Sequence, residues 1–149
     1  MAQRRTLWLR IALHLLLWLP AIILVWALLT AQLGPDPVGS LMRWTGRCGL
    51  IVLMLSLVPS AWRLTTGSAL LLSYRRMLGL YAFLYVLLHL SVYVGLDYAF
   101  DFALLWVGLD EARFVLLGFA AFAILLALAI TSIPALVRRL GSRWRRIHQ

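Results

Sequence analysis

The sequence predicts an all-α membrane protein whose four transmembrane helices form a bundle. Of its 149 residues, 64% are apolar and only 13% are charged, whereas soluble domains are nearer half apolar and a quarter charged. Four apolar runs approach the roughly 20 residues that a helix needs to cross ~30 Å of hydrocarbon. These runs leave no room for a separate soluble domain, so residues 1–149 are expected to form one membrane domain.

The four predicted spans cover, in order, about residues 7–31, 45–62, 77–96 and 114–134. Pro20 is expected to kink the first span, and Pro59 lies near the end of the second. The fourth span is rich in glycine and alanine, which let helices approach closely in lipid. Residues 97–111 are predicted to form a short outer loop with an interfacial turn around residues 100–106.

The distribution of charge predicts how the chain is oriented. All 14 basic residues are arginines, and 11 of them fall at the chain start, between spans two and three, or after span four. The positive-inside rule therefore places both termini in the cytoplasm. All five acidic residues fall on the opposite side. The net charge of +9 lies at the ends of apolar runs, where it serves topology and contact with anionic lipid headgroups. No nucleic-acid-binding motif is present.

One histidine, His89, lies deep in the third predicted span. An ionisable residue inside a span is costly and points to function. Tyr81, Tyr85 and Tyr93 recur with it every four residues, which places all four on one side of a helix. An imidazole on such a ring-lined face suits an axial haem ligand, with the tyrosines lining the porphyrin or bonding its propionates. The alternative is a histidine hydrogen-bonded to a neighbouring helix, beside aromatic side chains that only pack.

The three histidines are predicted to lie at different depths. His89 follows Arg76 by 13 residues, or ~20 Å of helix, which places it in the outer half of the membrane. His14 lies in the inner half, and His148 lies near the cytoplasmic face. His89 and His148 differ by roughly 15 Å in depth and are poor partners for one iron, whereas His14 and His148 match better. The alternatives are that His14 packs beside Trp18 with a hydrogen bond along its own helix, and that His148 is solvated in a basic tail.

Several short segments along the chain occur in an order and at a spacing that resemble a known family. They read LGPDPV and WTGR over residues 33–47, RRMLGL over 75–80, LHLSVY over 88–93, LAITS over 128–132 and LGSRWRRIH over 140–148. In this order and spacing, from about residue 7 to residue 149, they resemble the haem-binding membrane subunits of bacterial periplasmic methionine sulfoxide reductase systems. This is the MsrQ (or YedZ) family, within the wider ferric-reductase-like transmembrane domains.

The resemblance implies a multi-pass electron-transfer subunit of the bacterial inner membrane that contains haem b. Such subunits take electrons from the quinone pool or from a cytoplasmic flavin. They pass them to a periplasmic molybdopterin subunit, which holds the catalytic site for methionine sulfoxide. The resemblance implies that His89 is a haem ligand and that His148 is the first histidine of a fifth span, of which only the start is present. FMN is associated with the family, and no residue here is assigned to it. Arg47, with Arg43, is a candidate for pairing propionates or the partner at the outer face, or for interfacial anchoring.

The sequence differs from the family pattern after His148. The family continues beyond His148 with a second histidine about three and a half turns further along the helix, whereas this sequence ends at Gln149. The chain as written is therefore expected to lack half of an outer haem site. The alternative functions are a non-catalytic four-helix membrane scaffold, or inactive fragment of the family, and a small transporter. The transporter is disfavoured because no Asp or Glu lies inside a span.

Overall fold

A computed structural model of the chain describes residues 2–141 and residue 144. Its helices are α1 (Ala2–Leu29), α2 (Pro37–Thr66), α3 (Leu72–Val92), α4 (Phe102–Glu111), α5 (Phe114–Thr131) and α6 (Pro134–Leu140). A π-helical turn, Tyr93–Asp97, extends α3. In the part of the chain described, four segments are long and apolar enough to cross a membrane: Leu7–Leu29, Pro37–Thr66, Leu72–Asp97 and Phe114–Thr131. The prediction of an all-α fold with four spans is confirmed. The side of the membrane on which the termini lie stays a prediction.

The second span is longer than the predicted residues 45–62. Its helix begins at Pro37, because the side chain of Asp36 accepts a hydrogen bond from the backbone N–H of Gly39 at 2.8 Å. It ends where Gly67 adopts a left-handed conformation with φ +71°. These 30 residues span about 45 Å, which exceeds the hydrocarbon thickness and brings both helix ends to the headgroup region.

The segment between the third and fourth spans is more ordered than the predicted loop. Instead of a turn around residues 100–106, it contains α4, a helix of 10 residues. The side chain of Asp101 caps that helix by accepting hydrogen bonds from two backbone N–H groups, each at 3.0 Å. The fourth span ends at Thr131 rather than at residue 134, because Pro134 begins α6 in a new direction after an extended Ile133.

The interface between α2 and α3 is the most extensive in the fold. The buried positions of α2 follow one another at spacings of four or three residues, so they form one stripe along the helix; they are Leu41, Thr45, Gly49, Val52, Ser56 and Pro59. Small residues bring the two backbones together. A Cβ at Gly49 would lie 3.1 Å from Val86 Cγ2, and Ala82 of α3 is fully buried. This close pairing fixes the register in which α3 presents its polar side chains to α2.

Hydrogen bonds join α1 to this pair. The hydroxyl of Tyr85 donates to the carbonyl of Leu17 at 2.6 Å, and the indole N–H of Trp44 donates to the carbonyl of Pro20 at 3.2 Å. Most large apolar side chains of α1 are exposed, as expected for side chains that face lipid. On the other side of α3, α5 packs through stacked rings of Phe83 and Phe122, whose centroids lie 5.9 Å apart. Helix α3 therefore contacts three other spans.

Candidate functional site

A cavity of about 360 Å³ lies between α2, α3 and α5. Its volume falls within the range of small-molecule and cofactor sites, and its walls are predominantly apolar, as in such sites. We call it the outer cavity. Its lining includes Gly46 and Gly49 of α2, His89 and Tyr93 of α3, and Gly118 and Phe119 of α5. His89 contributes the only imidazole among the described lining residues.

The imidazole of His89 is held in one orientation by α2. Its Nδ1 lies 3.0 Å from the backbone carbonyl oxygen of Met42 and 3.3 Å from the hydroxyl of Thr45. A carbonyl oxygen can only accept, so Nδ1 carries the proton and donates it to Met42. In the neutral ring, Nε2 then keeps the lone pair. Histidines that bind metals almost always donate their second ring N–H in this way, often to a backbone carbonyl. The hydrogen bond to a neighbouring helix is thus present, and it leaves Nε2 available.

A glycine of α2 makes room for this ring. A Cβ at Gly46 would lie 3.1 Å from Cε1 and 3.2 Å from Nδ1 of His89, closer than ordinary van der Waals contact. Gly46 therefore allows the imidazole to lie directly against α2 while it bonds to Met42. Neither residue was picked out as functional from the sequence. The WTGR segment contains the glycine, but its contact with the histidine depends on how α2 and α3 pair.

The predicted stripe of tyrosines does not stay on one face of α3. Tyr81 and Tyr85 lie against α1, His89 contacts α2, and Tyr93 reaches the outer cavity beside α5. A repeat of four residues in a helix of 3.6 residues per turn rotates by ~40° at each step, or ~120° from the first position to the last. Of the three tyrosines, the structure brings Tyr93 alone to the cavity with His89.

Tyr93 stands at the end of the outer cavity where α3 changes to the π-helical turn. Its ring centroid lies 4.8 Å from that of Tyr98 and 6.4 Å from that of Phe119 on α5. These contacts tie the turn after α3 to the start of the fourth span. They place a phenol beside the cavity, where it can donate a hydrogen bond to a polar group of a ligand.

His14 lies apart from the outer cavity. Its Nδ1 is 2.8 Å from the hydroxyl of Tyr81, and the ring of Trp18 packs edge-on against the same tyrosine at 6.0 Å. His14 and Trp18 both contact Tyr81, and the hydrogen bond of His14 runs across to α3 and not along its own helix. His14 on α1 contacts α3, whereas His89 on α3 contacts α2, so the structure does not bring the two imidazoles together.

The remaining predicted site residues are less constrained by the structure. Arg47 is exposed on α2 and does not line the outer cavity. Arg43 pairs with Asp36 at 3.5 Å, with both side chains about 60% exposed, so the pair contributes little to stability. His148 lies outside the described residues, and its assignment as a ligand stays a prediction.

The donors at the outer cavity fit haem better than a metal ion held by protein alone. Within the described residues, no group of three or more His, Cys, Asp and Glu side chains is placed to hold a metal ion. A porphyrin supplies its own four nitrogens, so the protein needs to provide only axial ligands. The oriented imidazole of His89 can supply one such ligand, and the apolar walls and the glycines on two of the helices leave room beside it.

The fold and the cavity define a multi-pass helical membrane protein with a single imidazole presented between spans. Residues 6–149 match the model of the family described as ferric reductase like transmembrane component, and the chain belongs to that family. Over 119 residues it is 42% identical to the protein-methionine-sulfoxide reductase heme-binding subunit MsrQ of Rhodospirillum rubrum, an alignment that covers 79% of this chain and 57% of that relative. The chain therefore spans a little over half of the relative's length. No solved structure matches. The family resemblance read from the sequence is confirmed.

Proposed function

We propose that this chain is a haem b-binding electron-transfer subunit similar to MsrQ, and that Nε2 of His89 binds the iron. The orientation of His89 carries the proposal, because donation from Nδ1 to Met42 prepares the ring as a metal ligand. The relative's name, which describes it as heme-binding, supports the same assignment. When bound, haem supplies reversible one-electron transfer.

The chain's own residues position and shield that group. The carbonyl of Met42 holds the His89 ring, and Gly46 allows the ring to approach α2. The apolar side chains of α2, α3 and α5 around the outer cavity exclude water, which tunes the reduction potential of a bound iron. Tyr93 is the side chain we assign to a propionate, because it lines the same cavity as His89 and carries a hydroxyl.

We further propose the direction of electron flow. A quinol or a reduced flavin, FMN among them, would donate electrons at the arginine-rich cytoplasmic end of the bundle in the bacterial inner membrane. A periplasmic molybdopterin subunit that reduces methionine sulfoxide would accept them at the other end, where Arg47 is a candidate contact. The distribution of arginines and the similarity to MsrQ support this direction.

Visible spectra of the full chain, purified in detergent, test the haem assignment. Oxidised and dithionite-reduced spectra would be recorded for the wild type, for His89→Ala and for His14→Ala. The last is a matched control, since it removes an imidazole from a span without touching the outer cavity. We expect a Soret band and a sharp α band in the wild type and in His14→Ala, and their loss in His89→Ala.

Adding free imidazole to His89→Ala tests directly whether the missing side chain is the iron ligand. If His89 is the ligand, free imidazole should restore the bands, because the cavity left by the side chain admits it. Haem bands that persist in folded His89→Ala without imidazole would contradict the proposal. A wild-type chain that folds and binds no haem when haem is plentiful would instead favour the non-catalytic scaffold.

A further inference from the structure

A second cavity, of about 310 Å³, lies between the same three helices at the other end of the bundle. We call it the inner cavity. It is formed where α2 ends, α3 begins and α5 ends, and three arginines line it: Arg63, Arg75 and Arg76. Leucines of α2 and α5 form much of the remaining wall; they are Leu53, Leu57, Leu125 and Leu128. The inner cavity thus combines a cationic mouth with an apolar interior.

No carboxylate among the described lining residues balances the charges of Arg63 and Arg76. Every acidic residue of the sequence precedes α2 or falls between the end of α3 and the start of α5, at the opposite end of the helices. Arg76 donates to the carbonyl of Ser132, the residue that ends α5. That bond uses one of the five N–H groups of the guanidinium, so donors remain for an anion. The inner cavity therefore favours a ligand that carries negative charge.

The other lining residues indicate an amphiphile. Trp144 lines the cavity and donates its indole N–H to the carbonyl of Thr131 at 2.9 Å. Tryptophan typically lies at the level of lipid headgroups. Basic pockets between spans bind anionic lipid headgroups.

We propose that the inner cavity binds an anionic phospholipid. Its phosphate would pair with Arg63, Arg75 and Arg76, and an acyl chain would lie along the leucines of α2 and α5. The lipid would join the ends of α2 and α5 to the start of α3. This site is independent of iron binding at His89, so either proposal can fail alone.

Lipid binding to the delipidated full chain tests this proposal. Native mass spectrometry would compare the binding of phosphatidylglycerol and phosphatidylcholine to the wild type and to the double variant Arg63→Gln/Arg75→Gln. Arg113→Gln is the matched control, because it removes one exposed positive charge at the other end of the bundle. The wild type and Arg113→Gln should prefer phosphatidylglycerol. That preference should fall about fivefold for each arginine removed from the inner cavity.

Further variants and a competition experiment with inorganic phosphate complete the test. Arg75→Lys keeps the charge and should keep the preference, whereas the single variant Arg63→Gln should lower it about fivefold and serves if the double variant does not fold. Inorganic phosphate at millimolar concentration should not displace the lipid, because it cannot use the apolar wall. Equal preference in the double variant and in Arg113→Gln, or displacement by inorganic phosphate, would overturn the proposal.

Discussion

A single methyl group added at Gly46 should disturb the proposed iron site without replacing its ligand. In Gly46→Ala the new Cβ would lie 3.1 Å from Cε1 and 3.2 Å from Nδ1 of His89. The ring must retreat by about 0.3 Å to regain van der Waals contact. That retreat stretches the 3.0 Å hydrogen bond to Met42 or moves Nε2 by a similar distance. Either change misplaces a ligand that must be held within about 0.5 Å of its productive position.

The expected magnitude follows from the role of the Met42 carbonyl. Loss of a hydrogen-bond partner of a metal-binding histidine typically lowers metal affinity 10- to 100-fold. Because Gly46→Ala would weaken that bond without removing it, we expect about a tenfold loss of haem affinity, or ~1.4 kcal/mol. The apoprotein should hardly suffer, since alanine in a helix is favoured over glycine by up to ~1 kcal/mol.

Haem titration followed at the Soret band, together with thermal unfolding of the apoprotein, measures both effects. Gly79→Ala is the control, because a Cβ at Gly79 meets no atom within 4 Å. It should leave haem affinity unchanged and raise the unfolding temperature. The reasoning is refuted if Gly46→Ala and Gly79→Ala bind haem with the same affinity and the same spectrum.

Three smaller predictions concern stability, and thermal unfolding of the full chain in detergent measures each. Tyr85→Phe removes the hydrogen bond to Leu17 that joins α1 to α3 and should cost about 0.6–1.7 kcal/mol; an unchanged unfolding temperature would mean that this bond contributes nothing. Asp36→Ala removes the cap of α2 and should cost about 1 kcal/mol, whereas Asp36→Asn should retain most of that stability. Gly67→Ala forces a side chain into the left-handed conformation at φ +71° and should cost roughly 1 kcal/mol, so a stabilised variant would contradict that conformation.

The four spans could be predicted because lipid imposes a simple requirement of length and apolarity. The ends of the helices could not be predicted from length and apolarity alone. Counting apolar residues started the second span at residue 45 and left Arg43 outside it, yet the cap at Asp36 begins the helix at Pro37. The sequence did contain this signal, since an Asp followed by a proline is a common helix start. The π-helical turn after α3 had no comparable signal.

The candidate site, too, could be predicted only in part. His89 could be singled out because an imidazole inside a span is rare and costly. Its partners could not, because Met42 contributes a main-chain atom and Gly46 contributes the absence of a side chain. The tyrosine repeat predicted a common side of α3, but the ~40° rotation at each step spreads those residues over different neighbours. Only the packing of three helices around α3 decides which neighbour each one meets.

The hydrogen bond from His89 to the Met42 carbonyl has a consequence for how this site can vary. A side-chain acceptor can be deleted by one codon change, whereas a peptide oxygen persists whatever residue occupies position 42. Mutation can alter the strength of the bond only by shifting α2 relative to α3. The electron-donating character that this bond gives to the imidazole is therefore coupled to the packing of the bundle. Substitutions at the small residues where α2 and α3 meet should therefore change the reduction potential of the proposed iron site without replacing its ligand.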